Sequence, residues 1–235
     1  MKRLCTLSAR GGSKGVKNKN LRLLGDKPLL AHSILQARES GLFDLIAINS
    51  DSEDILQVGR DFGADYCLRR PDELATDLAA KLPAIQWGAQ EVERLSGLTF
   101  DTFVDLDATS PLRLPSDIIG AVELLESQGA DNVITGCPAR RSPYFNLVET
   151  DDSGRASLSK QLPQAVVRRQ DAPKCFDMNA SIYVWRRESF YGSQRIFMEK
   201  TLLFEMPEER SPDIDSELDW EIVQFLYLRS NTSKT

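Results

Sequence analysis

Short apolar runs alternate along this chain with segments of helical character, and that alternation restricts it to few architectures. The runs at residues 4–8, 45–50, 64–68, 102–106 and 132–135 are of strand length, and helices are expected at 28–39, about 51–62, 79–95 and 115–128. Local punctuation agrees. Pro28 opens the first helix and Gly41 lies just past its end, while Asp51, Glu53 and Asp54 put acids where the next helix's dipole favours them. Repeated βα units imply an α/β fold with a largely parallel central sheet and helices on both faces. The rhythm breaks after Gly136. Between 138 and 172 an Asp151-Asp152-Ser153-Gly154 turn lies between strand-like runs at 145–149 and 155–158, the pattern of a hairpin inserted into an α/β core. Strands at 178–185 and 202–206 and an amphipathic helix at 216–227 complete the chain. At 235 residues, one domain spanning 1–235 with an inserted element at about 138–172 is expected.

Charge is segregated. The first 25 residues hold seven Lys or Arg and no acid, although the whole chain carries a formal charge of −6. The basic stretch centres on Arg10-Gly11-Gly12-Ser13-Lys14-Gly15-Val16-Lys17-Asn18-Lys19-Asn20, directly after the first strand. A strand that ends in a glycine-rich cationic loop is how an α/β protein holds a polyphosphate. The glycines admit backbone amides to phosphate oxygens, and Arg10, Lys14 and Lys19 offset the charge of a triphosphate. This is neither a Walker A loop nor a G-x-G-x-x-G fingerprint. An acidic balance elsewhere argues against nucleic acid as a partner. No apolar run reaches membrane-spanning length, and the N-terminal run is too short for a signal peptide, so a cytoplasmic location is expected. Cys5, Cys67, Cys137 and Cys175 are scattered and His32 is the single histidine, so neither zinc nor disulfides are expected.

Three further strings carry chemistry. In Ser211-Pro212-Asp213-Ile214-Asp215-Ser216-Glu217-Leu218-Asp219, Asp213 and Asp215 fall on one side of an extended segment and suit Mg²⁺; the alternative is that these acids only cap the last helix. Asp107, in Asp105-Leu106-Asp107-Ala108-Thr109-Ser110-Pro111-Leu112-Arg113, sits at a strand end, where α/β sheets bind ligands. Arg168-Arg169 precede a strand and suit either an acidic sugar's carboxylate or an interface.

Together, Arg10-Gly11-Gly12-Ser13-Lys14-Gly15 with Lys19-Asn20, Thr109-Ser110-Pro111-Leu112-Arg113 and Asp213-Ile214-Asp215 resemble the acylneuraminate cytidylyltransferases, over about residues 4–228. Arg140 to Glu149, Ala172 to Tyr183 and Asp213 to Asp219 look most like the branch that activates legionaminic acid. The resemblance implies a Rossmann-like nucleotidyltransferase fold, a dimerisation element at 138–172 and a homodimer. It implies that a nine-carbon α-keto acid sugar attacks the α-phosphate of CTP with Mg²⁺ present and pyrophosphate leaving. Carried over by position, Arg10, Gly11, Gly12, Ser13, Lys14, Lys19 and Asn20 meet the triphosphate, and Arg70 with Ala79 meets the cytidine. Asp107, Arg169, Gln170, Asp177 and Asn179 meet the sugar, Asp213 and Asp215 hold the metal, and Arg10 and Lys19 share in catalysis with that pair. Sialic-acid activators commonly carry Gln in place of Asp107 and Arg in place of Asp177, which moves the expected sugar away from N-acetylneuraminate. The same reaction on N-acetylneuraminate, pseudaminate or an octulosonate, or a regulatory domain without turnover, are the alternatives.

Overall fold

Residues 1–12, 15–76, 80–164 and 168–232 are described by a computed structural model. The chain begins with β1 (Arg3–Ser8), a small hairpin of β2 (Leu23–Leu24) and β3 (Lys27–Pro28), and α1 (Leu29–Ser40). It continues through β4 (Leu45–Ser50), α2 (Glu53–Asp61), β5 (Tyr66–Arg69), α3 (Lys81–Ser96), β6 (Thr102–Leu106), α4 (Pro115–Gln128) and β7 (Asn132–Pro138). The inserted segment carries β8 (Val148–Thr150) and β9 (Ala156–Leu158), and β10 (Phe176–Arg186), α5 (Arg187–Gly192), β11 (Thr201–Glu205) and α6 (Glu217–Thr232) follow. No helix among the described residues is long and apolar enough to cross a membrane.

Seven strands form one sheet in the order β11-β7-β10-β6-β1-β4-β5. Every neighbouring pair is parallel except those made by β10, which runs antiparallel to both β6 and β7. The exception has a simple cause. Most strands are reached through a helix that returns the chain to its starting edge, whereas β7 leaves the carboxyl edge into the insertion and β10 re-enters at that edge, with Phe176 opposite Pro138. The insertion therefore overhangs the edge where ligands bind in such sheets.

Period-two alternation sends successive strand residues to opposite faces. Cys5, Ile46 and Ile48 pack with α1, α2 and α4 on one side, through Ile34, Ile55 and Ile118. Leu4 and Ala47 pack on the other with Ile85 and Val92 of α3 and the aromatic group Phe103, Trp185 and Phe190. A third cluster joins Val16 of the basic loop, Leu24 and Leu29 to Ile214 and Trp220 at the start of α6. The expected strands and helices are present, with ends shifted by a few residues. The β2–β3 hairpin and α5 were not expected, because pieces of two and six residues are too short to show a period.

The expected hairpin is there, with Val148 opposite Leu158 and every residue of both strands exposed. His32 is buried, donates from Nε2 to the Leu24 carbonyl at 2.9 Å and meets Tyr227 edge-on, which makes it part of the core.

Candidate active site

A cleft of about 560 Å³ opens at the carboxyl edge of β1, β5 and β6, and Arg10, Lys19, Arg70, Lys81, Asp107 and Asp215 are among the residues that line it. The basic loop forms one wall. Its course is set by backbone anchors: the Ala9 amide donates to the Asn49 carbonyl at 3.1 Å, the Gly11 amide to Asp51 Oδ1 at 2.8 Å, and Asn20 Nδ2 to the Arg10 carbonyl at 3.2 Å. Gly12 is described but does not line the cleft. Ser13, Lys14 and Ala79 lie outside the described residues.

The loop is packed against the segment before α6. A Cβ on Gly15 would stand 1.8 Å from the Asp215 carbonyl oxygen, so only glycine permits this approach. Lys19 donates from Nζ to the Ile214 carbonyl, 195 residues away, and its Nζ is 3.6 Å from Asp215 Oδ1. Ile214 is fully buried, which leaves the carboxylates on either side of it directed away from the core. Burial, and then the charges of Asp215 and Asp107, push the half-buried Asp213 carboxyl above its ordinary value. The helix-capping alternative applies to a different acid: Asp219 Oδ2 accepts from the Ser216 amide at 2.8 Å and the Ser216 hydroxyl at 2.7 Å. The Asp215 amide joins that cap, donating to Asp219 Oδ2 at 3.1 Å, so Asp215 contributes backbone to it.

Arg70 is 5% exposed at the base of the cleft. Among the described residues its Nε and Nη2 have no hydrogen-bond partner; Asp51 Oδ1 lies 3.7 Å from Nη2, too far to accept a hydrogen bond. Burial pulls its pKa down, against the pull of Asp51. Buried unpaired donors facing a cleft suit an oxygen-rich ligand.

Lys81, which sequence reading passed over, is a central cation of the cleft. Its Nζ is 2.9 Å from Asp107 Oδ2 and 3.0 Å from Asp105 Oδ2, and stands 5.1 Å above the Tyr183 ring. One signal was available: Lys81 opens α3, a position where the helix dipole disfavours a cation, and that first turn has no acid. Arg113, quoted in a motif but given no role, is 1% exposed and binds the carbonyls of Asp107 and Ser181 and the Ser33 hydroxyl. Burial draws its guanidinium down to about 10.

The expected sugar residues do not share one recess in the single chain. Asp107 is in the cleft. Asn179 is buried and fully engaged: Oδ1 accepts from Thr135 Oγ1 at 2.7 Å and the Ser181 amide at 3.2 Å, and Nδ2 donates to Ser211 Oγ at 3.0 Å. Its place is explained by the kink in β10, where Ala180 has φ of +51° and the register shifts between Met178 and Tyr183. Asp177 is exposed and accepts from the Arg140 amide at 3.1 Å, at the base of the insertion. Gln170 lines a separate recess with Arg141, Ser142 and Lys174. Arg169 belongs to a 3-10 turn, Arg169–Asp171, and its side chain lies outside the described residues.

Comparison with known proteins agrees with this arrangement. A CMP:2-keto-3-deoxy-manno-octonic acid synthetase, solved with CTP, matches with a TM-score of 0.70 over 98% of this chain and 100% of that one; at 16% identity the likeness speaks for the fold. The post-translational flagellin modification protein B of Campylobacter coli is 46% identical over 228 residues, which are 97% of this chain and 96% of that protein. The CMP-N,N′-diacetyllegionaminic acid synthase of Campylobacter jejuni subsp. jejuni is 44% identical over 230 residues, 98% of this chain and 97% of that protein. The sequence pattern of the family described as Cytidylyltransferase matches residues 4–223, and with Arg10 and Lys19 of the cationic loop lining one cleft together with Asp215, the chain belongs to the cytidylyltransferase family of CTP-dependent nucleotidyltransferases.

Proposed function

We propose that this cytidylyltransferase transfers CMP from CTP to the anomeric hydroxyl of a legionaminic-acid-type sugar, N,N′-diacetyllegionaminate, and releases pyrophosphate. The single observation that carries the reading is the polarity of the cleft, cationic at Arg10, Lys19 and Arg70 and acidic at Asp107 and Asp215, whose charges also reach Asp213. The near-full-length similarity to a protein named for that product supports the choice of sugar.

The sugar oxygen bonds to the α-phosphorus as the bond from phosphorus to the pyrophosphate oxygen breaks, and the hydroxyl proton leaves to solvent. Arg10 and Lys19 stabilise the charge that accumulates on the departing pyrophosphate. Arg70 offers its unpaired Nε–H and Nη2–H to oxygen acceptors of the nucleotide. Asp213 and Asp215 fit Mg²⁺: they are hard oxygen donors on one side of a segment, and burial, then the charge of Asp215, already raises Asp213. Among the described residues no group of three or more His, Cys, Asp or Glu could hold a metal ion, so an ion at Asp213 and Asp215 would take its other ligands from phosphate and water. Such an ion, when bound, neutralises phosphate charge in the transition state. The proposed working unit is a cytoplasmic homodimer joined through 138–172, where Phe145, Leu147, Val148 and Leu158 stand exposed.

The test is pyrophosphate release from CTP with legionaminate, N-acetylneuraminate, pseudaminate and octulosonate acceptors, with Mg²⁺ and with chelator. Legionaminate turnover that needs the metal, and that falls at least about tenfold in Arg10→Ala and Lys19→Ala and is lost in Asp213→Ala and Asp215→Ala, is expected. Preference for N-acetylneuraminate would overturn the substrate, and silence with every sugar would leave a nucleotide-binding domain.

A further inference from the structure

We propose that Lys81 is a positioning residue for the sugar: it fixes Asp107 so that a single acceptor site faces the ligand. This rests on the reading of Asp107 as a sugar contact given above. Asp107 Oδ1 accepts from the Thr109 amide at 3.1 Å and from Thr109 Oγ1 at 3.0 Å, which fills both of its acceptor positions. Oδ2 accepts from Lys81 Nζ at 2.9 Å, which leaves one position, and the side chain is 25% exposed to the cleft. A ligand donor, an N–H or O–H, is the group that this remaining site takes.

The backbone of Asp107 is held as firmly as its carboxylate. Its carbonyl is gripped by Arg113, and its amide donates at 3.1 Å to the carbonyl of Ser181, at the kink in β10. Thr109 anchors the side chain at Oδ1, and Lys81 fixes the other oxygen, the one that faces the ligand. The same ammonium separates Asp107 from Asp105, a wholly buried carboxyl on the next inward position of β6, which also receives the Thr6 hydroxyl at 3.0 Å. Without the ammonium, two neighbouring carboxyls would repel, and Asp107 would swing from its place or share a proton with Asp105. Burial raises Asp105, whereas Lys81 and the Thr109 donors overcome burial and hold Asp107 well below the usual carboxylate range. The negative charge is thereby assigned to the carboxyl that faces the cleft.

The experiment is a double-mutant cycle on Lys81→Met and Asp107→Asn, read as separate KM values for CTP and for the sugar. Lys81→Met is expected to lower kcat/KM for the sugar about 10- to 100-fold, the scale of one charge-assisted hydrogen bond, and to leave the KM for CTP within about twofold. The double variant is expected to be no worse than Asp107→Asn alone. Losses that multiply would mean that Lys81 touches substrate directly, and a parallel rise in both KM values with a lowered Tm would mean that it only holds the fold; either result overturns the proposal. Should Lys81→Met fail to fold, Lys81→Gln carries the same cycle with an uncharged donor. Wild-type protein that turns over no nine-carbon sugar would instead refute the substrate reading, whereas active wild type with an additive cycle refutes this proposal alone.

Discussion

Replacing Gly15 with alanine places one methyl group where the loop and the Asp215 segment meet. That Cβ would lie 1.8 Å from the Asp215 carbonyl oxygen, and real Cβ atoms essentially never come within 3.0 Å of a neighbour. The obstacle is backbone, so no side chain can rotate aside. Loop and segment must separate by about 1.2 Å or more, which moves Lys19 away from Ile214 and Asp215, and a misplacement near 1 Å costs about 100-fold in a positioned reaction. That factor corresponds to about 2.7 kcal/mol of barrier. Steady-state pyrophosphate release, measured at least about 20 °C below the variant's own Tm, should show kcat/KM for CTP reduced about 100-fold while circular dichroism stays native. Gly12→Ala is the companion, because among the described residues its Cβ would meet nothing within 4 Å, so any loss there reports the approach of the ligand itself. Gly15→Ala within threefold of wild type would refute the reasoning, since the loop would then adjust without carrying the site with it.

Two other outcomes follow from the fold. Burial lowers the pKa of His32, so the unfolded chain takes up the imidazole proton first and stability falls as pH drops below about 6.5. Urea unfolding at pH 7.5 and 5.5 should show a smaller loss in His32→Gln than in wild type, and identical losses would clear His32 of the effect. Light scattering at micromolar concentration should give a dimer mass that Phe145→Ser with Leu147→Ser shifts toward monomer; a monomeric wild type would sink the proposed role of the exposed insertion.

Much of this protein was legible in its residues because the relevant forces are local. Period-two and period-3.6 patterns set the βα units, the glycines and cations after β1 pointed to a loop that now lines the cleft, and the acids before α6 pointed to the cap that Asp219 makes with Ser216. The insertion showed itself as a break in that rhythm. Tertiary structure decided the rest. The antiparallel course of β10 depends on the edge from which a long excursion returns, which no local pattern encodes. Asn179, read as a pocket residue, is consumed by Thr135, Ser181 and Ser211 because the kink in β10 turns it inward. Lys19 reaches Ile214 across 195 residues, and Lys81 finds Asp105 and Asp107 because α3 begins beside the carboxyl end of β6. Charge partners are chosen by burial, which removes the water that would otherwise serve each group, and burial is a property of the assembled sheet.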